Sequence, residues 1–182
     1  MRHLTNLEYL LLALLQRKPA SGYSLRKDFV STPLGHYSDS PGSIYPALQR
    51  LQRRGLIRPT QNPSPSGRRT QLFAVTPKAL AELRAWVHRP ITSEEVRNDP
   101  PSLMLRFVIC AQFFGDAAAH TFVVQFQSRI NEIVLELESY VRGPAKTLPL
   151  AGRLAVEQGL ASYQTLAQWA ARASKELARS AS

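Results

Sequence analysis

The 182-residue chain carries 23 Lys+Arg against 13 Asp+Glu, a formal net charge of +10, with 44% hydrophobic and 20% charged residues. That length accommodates one ordinary domain or two small ones, and the apolar fraction excludes disorder as the overall state. A single cysteine, Cys110, excludes a disulfide framework and fits a cytoplasmic location. The longest apolar run, residues 10–15, is far too short to span a bilayer, so neither a signal peptide nor a membrane partner is expected.

The charge is uneven. Residues 1–90 hold 14 Lys/Arg and 4 Asp/Glu, whereas residues 91–182 hold 9 of each, so the whole excess lies in the first half. A half-chain that basic attracts polyanions, with nucleic acid the leading partner.

In the first half, Leu4, Leu7, Leu11 and Leu14 recur at helical spacing, and Thr5 with Glu8 fits a capping box, predicting a helix over 5–16. Ser21-Gly22-Tyr23 opens a second helix carrying Leu25 and Phe29, stopped by Pro33 and Gly35. Ser40-Pro41 announces a third, with Ile44, Leu48 and Leu51 as its buried stripe and Gly55 past its end. Residues 56–58 and 71–75 read as strands around a Pro/Ser/Gly-rich tip bearing Arg68 and Arg69. Thr76-Pro77 starts a fourth helix through Leu80, Leu83 and Val87.

Three helices followed by a basic hairpin is the order of a winged helix-turn-helix. The third helix would lie in the major groove of double-stranded DNA and the hairpin tip would reach phosphates beside it. Ser43, Tyr45, Gln49 and Arg50 would face the bases, Arg53 and Arg54 would sit near the helix end, and Arg68 and Arg69 would serve phosphate.

The segments Gly22-Tyr23-Ser24-Leu25, Ser43-Ile44-Tyr45-Pro46-Ala47-Leu48-Gln49-Arg50-Leu51, Gly55-Leu56-Ile57 and Gly67-Arg68-Arg69-Thr70 with Phe73-Ala74-Val75-Thr76 resemble the PadR family of bacterial transcriptional regulators. The resemblance covers roughly residues 4–90. Gln52, Phe73 and Ala79 depart from the family's usual acidic residue, tyrosine and glycine, touching packing and turns without removing the basic face. It implies a transcriptional regulator, most often a repressor, whose dimer responds to a small, often aromatic effector.

In the second half, polar residues 91–101 read as a linker, with Glu94-Glu95 a solvated pair. Leu103, Phe107, Cys110 and Phe114 then step by four, three and four. After Gly115-Asp116 a longer helix carries Val123, Phe126, Ile130, Ile133, Leu137 and Tyr140, broken by Gly143-Pro144. A last helix over about 150–178 places Tyr163, Leu166, Ala170, Ala173 and Leu177 in the same alternation. So few helices have little core of their own, which points to a homodimer. Leu160-Ala161-Ser162-Tyr163 with Trp169 resembles the helical dimerisation domain of longer PadR members.

The expected architecture is mainly α with a small β-hairpin: a winged helix-turn-helix over 1–90, a linker over 91–101 and a helical dimerisation domain over 102–182. Phe107, Phe114, Phe122, Phe126, Tyr163 and Trp169 would line an effector pocket or the dimer interface. His3, His36, His88, His120 and Cys110 show no metal-ligand spacing, and no phosphate loop or nucleophile motif occurs, so neither metal, cofactor nor enzyme activity is expected. Cys110, flanked by Phe107, Val108, Ile109 and Ala111, reads as a small core residue rather than a redox sensor. The competing reading is a winged-helix adaptor binding protein, against which five groove-side arginines weigh.

Overall fold

A computed structural model describes residues 3–31, 41–61 and 71–180. Pro33, Gly35, His36, Ser40 and the hairpin tip with Arg68 and Arg69 lie outside these residues. The chain is mainly helical with one small two-stranded antiparallel sheet, and it divides into two units, residues 1–87 and 88–182.

The first unit begins with α1 (Asn6–Arg17). Its capping box forms as the sequence predicts: Thr5 N donates to Glu8 Oε2 at 2.9 Å, and Glu8 N donates to Thr5 Oγ1 at 3.2 Å. Leu7, Leu11, Leu12 and Leu15 are buried, so α1 is the central element of this core. Helix α2 (Gly22–Ser31) follows, its first turn tied by Ser24 N to Ser21 Oγ at 3.1 Å.

A 3-10 turn (Pro41–Ser43) leads into α3 (Ile44–Arg53), so the α-helix begins later than the Ser40-Pro41 signal predicts. Pro46 falls in its first turn, where a missing N–H leaves no intrahelical bond unmade. At the other end Gly55 N donates to Gln52 O and Leu56 N to Leu51 O, both at 2.9 Å. These two bonds, with Leu51 and Leu56 buried, make a Schellman closure.

Strand β1 (Ile57–Gln61) pairs with β2 (Gln71–Val75) in the register Ile57↔Val75 to Gln61↔Gln71, so β1 runs past the expected residue 58. The α1–α2 link joins this sheet: Phe73 N donates to Ala20 O at 2.9 Å and Ala20 N to Phe73 O at 3.2 Å. Helix α4 (Pro77–Val87) is capped by Thr76, whose Oγ1 accepts from Ala79 N and donates to Gly55 O at 2.8 Å. Trp86 of α4 stacks on Tyr9 of α1 with centroids 3.9 Å apart.

In the second unit, the segment expected to be a linker contains helix α5 (Ser93–Asn98), with a capping box between Thr92 and Glu95 and Val96 fully buried. Glu95 is therefore no solvated residue; it also pairs with Arg89. Helix α6 (Pro100–Arg142) starts from Asp99, which accepts from Ser102 N at 3.2 Å.

Gly115, with φ 79° and ψ 178°, interrupts α6 where the sequence predicts a break; this backbone region is open essentially to glycine alone. The two arms fold back on each other. Phe107 and Phe122 have ring centroids 6.0 Å apart, whereas a straight helix would separate them by about 22 Å. A 3-10 turn (Pro144–Thr147) connects to α7 (Leu150–Ser180), which packs on α6 through His120–Ser174, Glu138–Gln164 and Asp116–Ser180 contacts. Val123, Phe126, Ile130 and Ile133 of α6 are buried, whereas Leu137 is half-buried and Tyr140 exposed.

Candidate nucleic-acid interface

Helix α3 is sharply two-faced. Ile44, Ala47, Leu48 and Leu51 are buried, while Tyr45, Gln49, Arg50, Gln52 and Arg53 are exposed. The periodicity that buries four apolar residues necessarily turns the polar set outward. Ser43, at the N-cap, makes no side-chain capping bond and is half-buried. Arg54 is half-buried at the C-cap, where Lys78 Nζ donates to its carbonyl at 2.8 Å.

Arg50 stands apart from its neighbours. Its Nε donates to Glu8 Oε1 at 2.7 Å, and Glu8 is buried while the arginine side chain is 44% exposed. One edge of the guanidinium thus braces α3 against α1. Arg53 folds along its own helix, its Nε reaching Gln49 O at 3.4 Å.

Beside this face a groove of about 400 Å³ runs between the start of α2, α3 and the start of β2, lined among others by Tyr23, Tyr45, Gln49, Gln52 and Gln71. Tyr23 is 71% exposed. Gly22 makes the groove possible in its present shape: a Cβ there would lie 2.7 Å from Tyr45 Cε1. Tyr23 and Gln52 were not among the expected contact residues. The available signals were an aromatic residue in the first turn of the second helix, and a polar residue three positions after Gln49.

The expected aromatic set of the second unit separates. Phe107, Phe122, Phe126 and Trp169 form one cluster, with Trp169 edge-on to Phe107 at 5.8 Å and to Phe126 at 6.1 Å. Phe114 packs edge-on against His88 at 4.9 Å, and Tyr163 is half-buried on α7. Cys110 is buried, and burial pushes its thiol above the ordinary value. Among the described residues no group of three His, Cys, Asp or Glu could hold a metal ion.

Three helices, the third with a polar outer face, closed by an antiparallel hairpin bridged to the link between the first two, define a winged helix-turn-helix. The family model for PadR-like transcriptional regulators matches residues 11–85. A PadR-like regulator of known structure from Bacillus cereus is 31% identical, covering 44% of this chain and 76% of its own, with a TM-score of 0.39. Over residues 11–85 the chain belongs to this PadR-like family. Bacillus subtilis PadR in complex with operator DNA is 18% identical over 94% of this chain and 97% of its own, with a TM-score of 0.41. The same protein in complex with p-coumaric acid gives 17%, 97%, 98% and 0.41. No curated protein matches the chain.

Proposed function

We propose that the chain is a cytoplasmic, sequence-specific DNA-binding repressor that acts as a homodimer on a palindromic operator and is released by a small aromatic effector. The observation that carries this reading is α3, whose apolar face is committed to the core while Tyr45, Gln49, Arg50, Gln52 and Arg53 face outward from the basic half. Gln49 and Arg50, with Ser43 and Tyr45 toward the helix start, read base edges; Arg53 and Arg54 support them, and Arg68 and Arg69 at the hairpin tip contact phosphate. Residues 1–90 serve DNA and residues 102–182 dimerisation, with 91–101 joining them.

The second unit supports the dimer. In the 31-residue α7 Ala170 is the buried residue, so the expected apolar stripe is only half covered. Val108, Val124 and Leu135 of α6 and Leu150 and Leu154 of α7 are exposed. An 18-residue window of α6 reaches a mean hydropathy of 1.5 yet is 28% buried. The break at Gly115 and the buried Arg106 favour a helix-packing face over a membrane span. A second copy placed on a two-fold axis would cover it and give the assembly two α3 helices, for which palindromic half-sites about 34 Å apart offer two major-groove segments.

The test joins light scattering on a sizing column with fluorescence anisotropy against DNA from upstream of the chain's own gene. The expected result is a dimer that binds this DNA at physiological salt and random DNA far more weakly. A monomer overturns the dimer, and a dimer indifferent to all DNA shifts the reading to a protein-binding adaptor.

A further inference from the structure

The outward face of α3 divides into two rows. Tyr45, Gln49 and Gln52 follow one another at steps of four and three, all exposed. They form one wall of the groove of about 400 Å³ that the starts of α2 and β2 complete. Arg50 and Arg53 make the second row, each with its Nε held within the protein, by Glu8 Oε1 and Gln49 O respectively. Gln49 and Gln52 meet that row in a shallow depression shared with Arg53.

The groove differs in chemistry from the face beside it. In a chain of net charge +10, none of the described residues that line it is charged. The rings of Tyr23 and Tyr45 and the amides of Gln49, Gln52 and Gln71 dominate its lining. Gly22 fixes the Tyr45 ring: a Cβ there would lie 2.7 Å from Tyr45 Cε1, so the ring rests directly on the start of α2. Ser21 Oγ is already engaged, accepting from Ser24 N at 3.1 Å. A phosphate is held chiefly by cations, and a groove without one is a poor seat for it. Guanine is read best by an arginine fork and cytosine N4 by a carboxylate, and the groove has neither. A glutamine amide, donating and accepting side by side, matches adenine N7 and N6, while an aromatic ring gives a thymine methyl its apolar contact.

We propose that this groove reads one A·T base pair in each half-site, with Gln52 bonding the adenine edge and the rings of Tyr23 and Tyr45 packing on the thymine methyl. The inference rests on the DNA-binding reading above and deepens it. Tyr23, on α2, and Gln52, a full turn beyond Tyr45 and Gln49, become specificity-determining residues, and the base pair they select is named by their chemistry. Tyr23 is 71% exposed and has no part in the core, so its ring is free to meet a base edge.

The experiment uses the full chain to select duplexes from a random-sequence pool. The selected site is then resynthesised with deoxyuridine for thymine, or 7-deazadeoxyadenosine for adenine, at one position at a time. Uracil lacks only the methyl group and 7-deazaadenine only the N7 acceptor. One A·T pair per half-site is expected at which each replacement weakens binding at least about fivefold. Tyr23→Ala is expected to abolish the uracil penalty at that pair, and Gln52→Ala the 7-deazaadenine penalty. Tyr23→Phe, which keeps the ring and removes the hydroxyl, is expected to retain the uracil penalty. A selected site without such a pair, or penalties that survive both alanine variants, overturns the groove. Tyr23→Phe that weakens binding to every sequence and lowers the salt slope makes Tyr23 a phosphate contact and also overturns it. Should Tyr23→Ala fail to fold by circular dichroism, Tyr23→Phe and Gln52→Ala decide the outcome. A pool that enriches no sequence refutes the regulator reading and the groove with it, whereas an enriched site lacking that pair refutes the groove alone.

Discussion

Arg50 Nε of α3 donates to Glu8 Oε1 of α1 at 2.7 Å across 42 residues of sequence, and the same Glu8 closes the capping box of α1. One buried carboxylate thus both starts the first helix and holds the third against it. Truncating Glu8 removes a cap and a charge-assisted hydrogen bond together, so Glu8→Ala is expected to cost about 2 kcal/mol in urea denaturation. Arg50→Ala strands that carboxylate and is expected to lower stability as well as DNA affinity. Gln49→Ala, on the exposed face, should leave the urea midpoint in place. Equal midpoints for Arg50→Ala and the parent would show that the ion pair has no structural role.

Gly22 sits 2.7 Å from Tyr45 Cε1 once a Cβ is added. The ring of Tyr45 is partly exposed and has room to move, so Gly22→Ala is expected to cost less than about 1 kcal/mol of stability. Its effect should fall on recognition, with affinity for the specific site dropping while affinity for random DNA holds. Pairing it with Tyr45→Ala in a double-mutant cycle should give strong non-additivity; simple additivity would separate the two residues.

Phosphate and base contacts respond differently to salt. Arg68→Ala and Arg69→Ala are each expected to weaken binding to all sequences and to lower the slope of log K against log salt by about 0.9. Gln49→Ala is expected to leave that slope unchanged and to reduce discrimination between specific and altered sites by about 1–3 kcal/mol. Anisotropy titrations over a range of salt concentrations distinguish these patterns, and a common pattern for all three variants would collapse the distinction.

The exposed leucines of the second unit test the dimer. Leu154, 53% exposed on α7, and Leu135, 62% exposed on α6, contribute little to the core of one chain. Leu154→Lys and Leu135→Lys should therefore fold normally by circular dichroism yet shift the sizing-column mass toward a monomer. Operator affinity should fall at least tenfold with it, because a monomer reads one half-site. Variants that remain dimeric would place the interface elsewhere.

Cys110 is buried, and its raised pKa comes first from desolvation, opposed by nearby Arg106. A raised folded value favours the thiol, so its stabilising contribution is present below the unfolded value of about 8.5 and is lost as pH climbs through the folded value. At neutral pH the native chain should react slowly with a disulfide reagent such as dithionitrobenzoate, and reaction should become fast in denaturant. Rapid native reaction would mark the thiol as accessible.

Local signals were the legible ones. The Thr5–Glu8 box, the Thr76 cap, the buried stripe of α3 and the break at Gly115 all depend on residues within a few positions of each other. Helix α5 escaped because Val96 is the buried apolar residue in a polar segment, and one residue carries no periodicity. The sequence offers Arg50 only as a base-contacting residue because its partner Glu8 lies on another helix. Nothing local marks Arg106, since only tertiary packing buries its guanidinium beside the Phe122 ring. The outward face of α3 was legible as a face, but the groove beside it was not, because Tyr23 and Gln71 reach it from other elements.

The glycine joint in α6 also bears on how the chain acquires its structure. Phe107 and Phe122 meet across about 15 residues, a separation for which closure entropy is small and helix growth fast. In the first unit the β1–β2 pairing is also local, but Tyr9 must find Trp86 about 77 residues away, and Ala20 must find Phe73 about 53 away, before its core closes. The two units are thus expected to assemble at different speeds, the α6 hairpin before the core of the winged unit. Substituting Gly115 should therefore register first in the refolding rate.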